Sequence, residues 1–136
     1  MAETTHQQPI TGVVPYLTVR GASEASEFYA RAFGARELSR QPGEDGKRLI
    51  HCHLRINGAD VMMSDEFPEY GCGLGDGPNG VTLHLAVDDA DTWFNRAVEA
   101  GATVTMPIAD QFWGDRYGQL RDPFGHNWSI GSPKKQ

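Results

Sequence analysis

The feature that most constrains this chain is that it repeats itself. GVVPYLTV (12–19) alternates and is rich in β-branched residues, which predicts a strand. ASEASEFYARAF follows, with Ala22, Ala25, Phe28, Tyr29, Ala32 and Phe33 recurring at helical spacing, and Gly34 stands where a C-terminal cap belongs. ARELSRQ (35–41) predicts a second strand and PGEDG (42–46) a turn. KRLIHCHLRI (47–56) and ADVMMSD (59–65) flank Asn57-Gly58, a strong hairpin signal. The second half runs in the same order. GVTLHLAV (80–87) predicts a strand, and Asp89 caps a helix with the stripe Ala90, Trp93, Phe94, Ala97 and Val98. Gly101, the strand ATVTM (102–106), DRYGQLRD (115–122), a PFGH turn and NWSIG (127–131) complete it.

Superposing the halves puts Val13 on Val81, Leu17 on Leu85, Val19 on Val87 and Ala22 on Ala90. With one deletion, Gly34 falls on Gly101 and Asn57-Gly58 on Phe124-Gly125. The chain is therefore expected to be a duplicated β-α-β-β-β unit. The predicted first module covers 11–68 and the second 81–132, within one domain spanning 11–132. Residues 1–10 and 133–136 are expected to be frayed tails. Between the modules lies the glycine-rich stretch 69–80, in which Gly71, Gly73, Gly75 and Gly77 alternate. Pro78 and then a strand follow, not a helix, so a linker is predicted and not a nucleotide loop.

Bulk properties narrow the classes. A chain of 136 residues buries roughly two thirds of its unfolded surface and needs no staple. The formal net charge of −6 argues against nucleic acid or anionic membrane as a partner and is compatible with a cationic ligand. MAETTHQQPI has no apolar signal-peptide core, and no apolar run approaches the about 18 residues of a membrane span. Cys52 and Cys72 form no CxxC pair and are expected to be reduced thiols, so a cytoplasmic location is predicted.

Motifs in chain order carry a resemblance: PYLTV (15–19), Phe28-Tyr29 to Phe33-Gly34-Ala35, INGADVMMSDE (56–66), VDDAD (87–91) and DPFGH (122–126) within FWGDRYGQLRDPFGHNW. Together with paired βαβββ modules they resemble the vicinal oxygen chelate superfamily, which contains glyoxalases, extradiol dioxygenases and bleomycin-resistance proteins, and most of all its PhnB-like branch. The resemblance implies an α+β fold of two tandem modules with curled mixed sheets enclosing a cleft. One sheet face takes the helix and the other lines the cleft, and alternation sorts the side chains. Ile50, Cys52, Leu54 and Ile56 are then expected under the helix, with His51 and His53 in the cleft. Val81, Leu83, Leu85 and Val87 are expected in the core, and Thr82 and His84 in the cleft. Trp128 and Ile130 are expected inside and Asn127 and Ser129 towards the cleft. The resemblance also implies a homodimer, in some members with exchanged modules.

Metalloenzymes of the superfamily hold a divalent ion on His, Gln or Glu from the first and last strands of each module. Carried over by motif, those places fall on Val14, Met62, Thr82 and Ser129. Val14 and Met62 offer no useful donor to iron, zinc, manganese or nickel, and the two hydroxyls are poor ligands. No metal or other cofactor is therefore expected, and no catalytic residue is assigned. The expectation is a glyoxalase/bleomycin-resistance-like protein without a metal. It would bind a small organic molecule, antibiotic-like or cationic, in the inter-module cleft or a dimer groove. Tyr16, Met62, His84, Trp113, Arg116 and Tyr117 are the contact candidates, with 112–117 read as a loop whose Trp113, Arg116 and Tyr117 either form a lid or one wall of the cleft or simply pack. The alternative is a lyase, isomerase or dioxygenase-type enzyme that uses His51, His53 or His84 for proton transfer or to hold a displaced divalent ion. His51 and His53 share a strand face about 7 Å apart. An accessory domain of a small-molecule pathway is a further alternative.

Overall fold

The computed structural model describes residues 10, 12–70, 73–78 and 80–135. Cys72 and His6 lie outside the described residues, as do 71 and 79 of the glycine-rich stretch. The elements run β1 (Tyr16–Val19), α1 (Ala22–Phe33), β2 (Arg36–Pro42), β3 (Leu49–Ile56), β4 (Ala59–Asp65), β5 (Thr82–Ala86), α2 (Ala90–Ala100), β6 (Thr103–Asp110), β7 (Asp115–Arg121) and β8 (Asn127–Pro133), with a 3-10 turn at Pro68–Tyr70. They form two mixed sheets, β1-β4-β3-β2 and β5-β8-β7-β6. In each, the first pair is parallel and the rest antiparallel.

The repeat extends to the irregularities. A register shift falls between Glu37 and Ser39 on β2 and between Val104 and Met106 on β6, the same place in each module. Asn57 and Gly58 have φ of 51° and 80°, both positive as a two-residue primed hairpin turn requires. Helix starts are served alike from the last strands. Asp65 Oδ1 accepts from the Gly21 and Ala22 amides, at 2.7 and 3.0 Å, and Ser132 Oγ accepts from the Ala90 amide at 3.1 Å. Asp89 adds its own N-cap to α2, taking the Thr92 amide.

Both helices lie against one shared core. Phe33 and Trp128 have ring centroids 4.5 Å apart, and Tyr29 packs on Trp128 and Phe124, so α1 touches the second sheet as well as its own. Arg96 on α2 donates to the Arg31 and Ala30 carbonyls, satisfying the C-terminal end of α1. The turns are exchanged across the seam. Asn57 Nδ2 donates to Ala86 O on β5 at 3.0 Å, and His126 Nε2 bonds Thr18 O on β1 at 3.0 Å.

Several expectations are corrected. Ile50 is 45% exposed and Leu49 is 3% exposed. The register moves from Gln41↔His51 to Pro42↔Leu49, so β3 carries one extra residue there, and the bulge turns Leu49 instead of Ile50 to the helix side. Val81 is 64% exposed because β5 begins only at Thr82. Val98 is exposed and Trp93 half-buried, since α2 buries Ala90, Phe94 and Ala97 against its sheet. Residues 115–117 are not loop but the start of β7, leaving 112–114 as a hairpin tip. The sheets do not close on each other. Each gives one face to the shared core, and the face opposite the helices lies open, with Tyr16 at 52% exposure and His84 exposed.

Candidate functional site

The open faces carry most of the chemistry, and the repeat organises it. On the first sheet, Tyr16, Met62 and His53 form a row across β1, β4 and β3. On the second, His84, Ser129 and Gln119 form the matching row across β5, β8 and β7. Next to each row sits an aromatic pair of the same two residue types, exchanged between strands. Tyr16 on β1 meets His51 on β3, with the hydroxyl 2.8 Å from Nδ1. His84 on β5 meets Tyr117 on β7, stacked at 5.9 Å between centroids.

On the first face His53 is buried, its Nε2 2.8 Å from Asp60 Oδ1. Arg55 donates to the same carboxylate, which the His53 and Arg55 bonds hold below the usual aspartate range. On the second face Ser129 is 2% exposed and its Oγ lies 2.7 Å from His84 Nδ1. Gln119 donates to the Tyr117 hydroxyl at 3.0 Å. The aromatic run continues outward from Tyr117 to Trp113 at 5.3 Å and from Trp113 to the exposed Phe112 at 5.0 Å. Trp113 is steadied by its indole N–H on Asp115.

Arg116 lies elsewhere. It alternates with Tyr117, faces the helix side and pairs with Asp91 and Asp110, which raise its already high pKa. Cys52 is buried on the helix side, its thiol pushed up to about 11 chiefly by burial and then by the Glu37 charge. The candidates thus divide into a first-sheet group (Tyr16, His51, His53, Met62) and a second-sheet group (His84, Trp113, Tyr117). Two grooves mark the seam between β1 and β5. One, of about 340 Å³, is lined by Tyr16, Pro78 and Asn127 among others. The other, of about 410 Å³, is lined by Val14, Asp60, Thr82 and His84 among others.

The four places named for chelation do not suit a divalent ion. Val14 and Thr82 share the larger groove, whereas Met62 and Ser129 sit within different sheets. The Ser129 hydroxyl is engaged by His84. Among the described residues no three His, Cys, Asp or Glu side chains gather as a metal-holding group. Gln119, Asp60, Arg55 and Arg121 were missed by strand alternation applied to histidines and aromatics alone. The repeat points to them, since Gln119 falls on His53 and Arg121 on Arg55.

The sequence profile of the Glyoxalase/Bleomycin resistance protein/Dioxygenase superfamily matches residues 10–130. The chain belongs to that superfamily. It is 52% identical over 130 residues to Mb0911c, an uncharacterized protein of Mycobacterium bovis, covering 90% of this chain and 83% of that one. Among solved structures, TioX from Micromonospora sp. ML1 superposes with a TM-score of 0.71 at 29% identity, over 93% of this chain and 98% of that one. A Bacillus cereus PhnB protein, described as a putative 3-demethylubiquinone-9 3-methyltransferase, superposes with a TM-score of 0.72 at 20% identity, over 90% and 99%. At that identity the likeness concerns the superfamily fold alone. No helix of the described residues is long and apolar enough to cross a membrane.

Proposed function

We propose that this superfamily member binds a small, partly aromatic organic molecule on its open sheet faces and does so without the superfamily's metal. The observation that carries the reading is the Ser129–His84 bond of 2.7 Å. It occupies a chelating place with a hydrogen-bonded pair beneath the Tyr117–Trp113 aromatic run. Side chains of that kind supply stacking area and a few directed polar groups, which is what small-molecule sites use. A second copy of the chain is the proposed cover for the open faces, because each face leaves aromatic surface bare.

The test combines metal analysis with a ligand-shift thermal assay on the wild type, His53→Ala and His84→Ala. The proposal expects substoichiometric metal after purification and a ligand-induced rise in Tm that His84→Ala reduces. Zinc, nickel or iron held one per chain and lost in these variants overturns it.

A second reading, proton transfer by His84, has the same bond behind it. Ser129 orients the imidazole through Nδ1, which leaves Nε2 for a ligand. Turnover of a bound ligand that His84→Ala abolishes, with binding retained, selects this reading.

A further inference from the structure

The repeat exposes a difference in charge between the two faces. In the first module Arg55 is neutralised in place, with Nε 3.0 Å and Nη2 2.9 Å from Asp60 Oδ1. The register pairs Arg55 with Asp60, and it pairs Arg121 with Asn127 at the equivalent place of the second module. Arg121 is exposed, and its Nε donates to Asn127 Oδ1 at 3.3 Å. A carboxamide accepts that bond but cancels no charge. Among the described residues no carboxylate pairs with Arg121, so the guanidinium fork stands open on the same face as Gln119, Tyr117 and His84.

Strand alternation puts Asp115, Tyr117, Gln119 and Arg121 on one side of β7. Tyr117 and Arg121 are then roughly 13 Å apart at Cα, with Gln119 between them, and the Arg121 side chain bonds across to Asn127 on β8. Asp115, the acid of this row, sits at the far end and holds the Trp113 indole.

We propose that the second-module face selects an aromatic anion. Its ring stacks at Tyr117 and His84, and its carboxylate or similar acidic group docks in the Arg121 fork. The proposal rests on the small-molecule reading above and adds the sign of the ligand's charge, against the cation that the net charge of −6 suggests. Bidentate, charge-assisted recognition is what an open guanidinium does best.

The test uses a matched probe series: 2-naphthylacetate, 2-naphthylacetamide and 2-(2-naphthyl)ethylammonium, titrated against the full chain by calorimetry. The carboxylate is expected to bind about tenfold tighter than the amide, the ammonium weakest. Arg121→Gln removes that advantage and leaves the amide unchanged. Asn127→Asp, which rebuilds the first module's ion pair, does the same with the arginine still present. Thermal denaturation checks that both variants are folded. An ammonium that binds as tightly as the carboxylate, or an Arg121→Gln variant that keeps the carboxylate's advantage, overturns the charge assignment. Equal binding by all three probes, weakened by Tyr117→Ala, also overturns it while leaving small-molecule binding standing. No binding by any probe overturns both.

Discussion

The Tyr29 hydroxyl donates to Asp122 Oδ2 over 2.6 Å, joining the first module's helix to the turn before the second module's last strand. The same carboxylate takes the Trp128 indole N–H at 2.8 Å and the amides of Phe124 and His126, and Asp122 is 3% exposed. A buried carboxylate without such donors bears the full cost of its desolvation. Burial, followed by the neighbouring charge, holds the Tyr29 phenol well above its usual range. Tyr29→Phe keeps the ring and removes one donor, and is expected to cost about 1–3 kcal/mol. Asp122→Ala strands the phenol, the indole and two amides, and is expected to cost about 3 kcal/mol or more. Urea denaturation followed by tryptophan fluorescence and by far-UV circular dichroism measures both, and the two signals are expected to move together.

The exchanged turns permit a cleaner deletion. Asn57→Gly suits the positive φ of 51° and removes only the side-chain bond to Ala86 O. A loss of about 0.5–1.5 kcal/mol is expected, read from the denaturation midpoint. His126→Ala removes the reciprocal bond to Thr18 O and is expected to cost at least as much, because His126 is also buried.

Acid should weaken the fold in part through Glu37. The Arg40 bond, with smaller help from Ser26, holds its carboxyl below the ordinary value of 4.5. A lowered folded pKa gives stability that is complete above about pH 4.5 and is lost as pH falls through the folded value. Glu37→Gln is therefore expected to flatten the acid side of the stability profile and leave its slope near neutral pH unchanged. Urea midpoints taken from neutral pH into acid test this.

With its thiol near 11 and its side chain buried, Cys52 is almost wholly protonated at neutral pH. In a Cys72→Ser background the native protein is expected to resist maleimide, and the denatured protein to react in full, by intact mass.

The strand and helix order, the Asn57-Gly58 turn and the Asp89 cap were legible because they are local: period, dihedral preference and capping chemistry suffice. The position of Leu49 was not, because a single bulged residue reverses the parity on which the face assignment for Ile50 rests. Asp122 shows the same limit in reverse. Its bonds to the Phe124 and His126 amides follow from turn chemistry, but its bond to Tyr29 spans 93 residues and depends on how the modules meet. Within the site, alternation placed His84 and Ser129 on one face, and only their register across β5 and β8 brings them into contact. Arg116 was misplaced by taking 112–117 as a loop; once Asp115 begins a strand, its neighbours must alternate.

The crossed bonds of Asn57 and His126 have a bearing on ancestry. A chain half this length, folded like either module, would leave its helix flank and one strand rim bare to water. Each module instead covers those edges of the other, and each bonds one of its turns to a strand of its neighbour. With that joint shared between the halves, the two surfaces were free to diverge in charge.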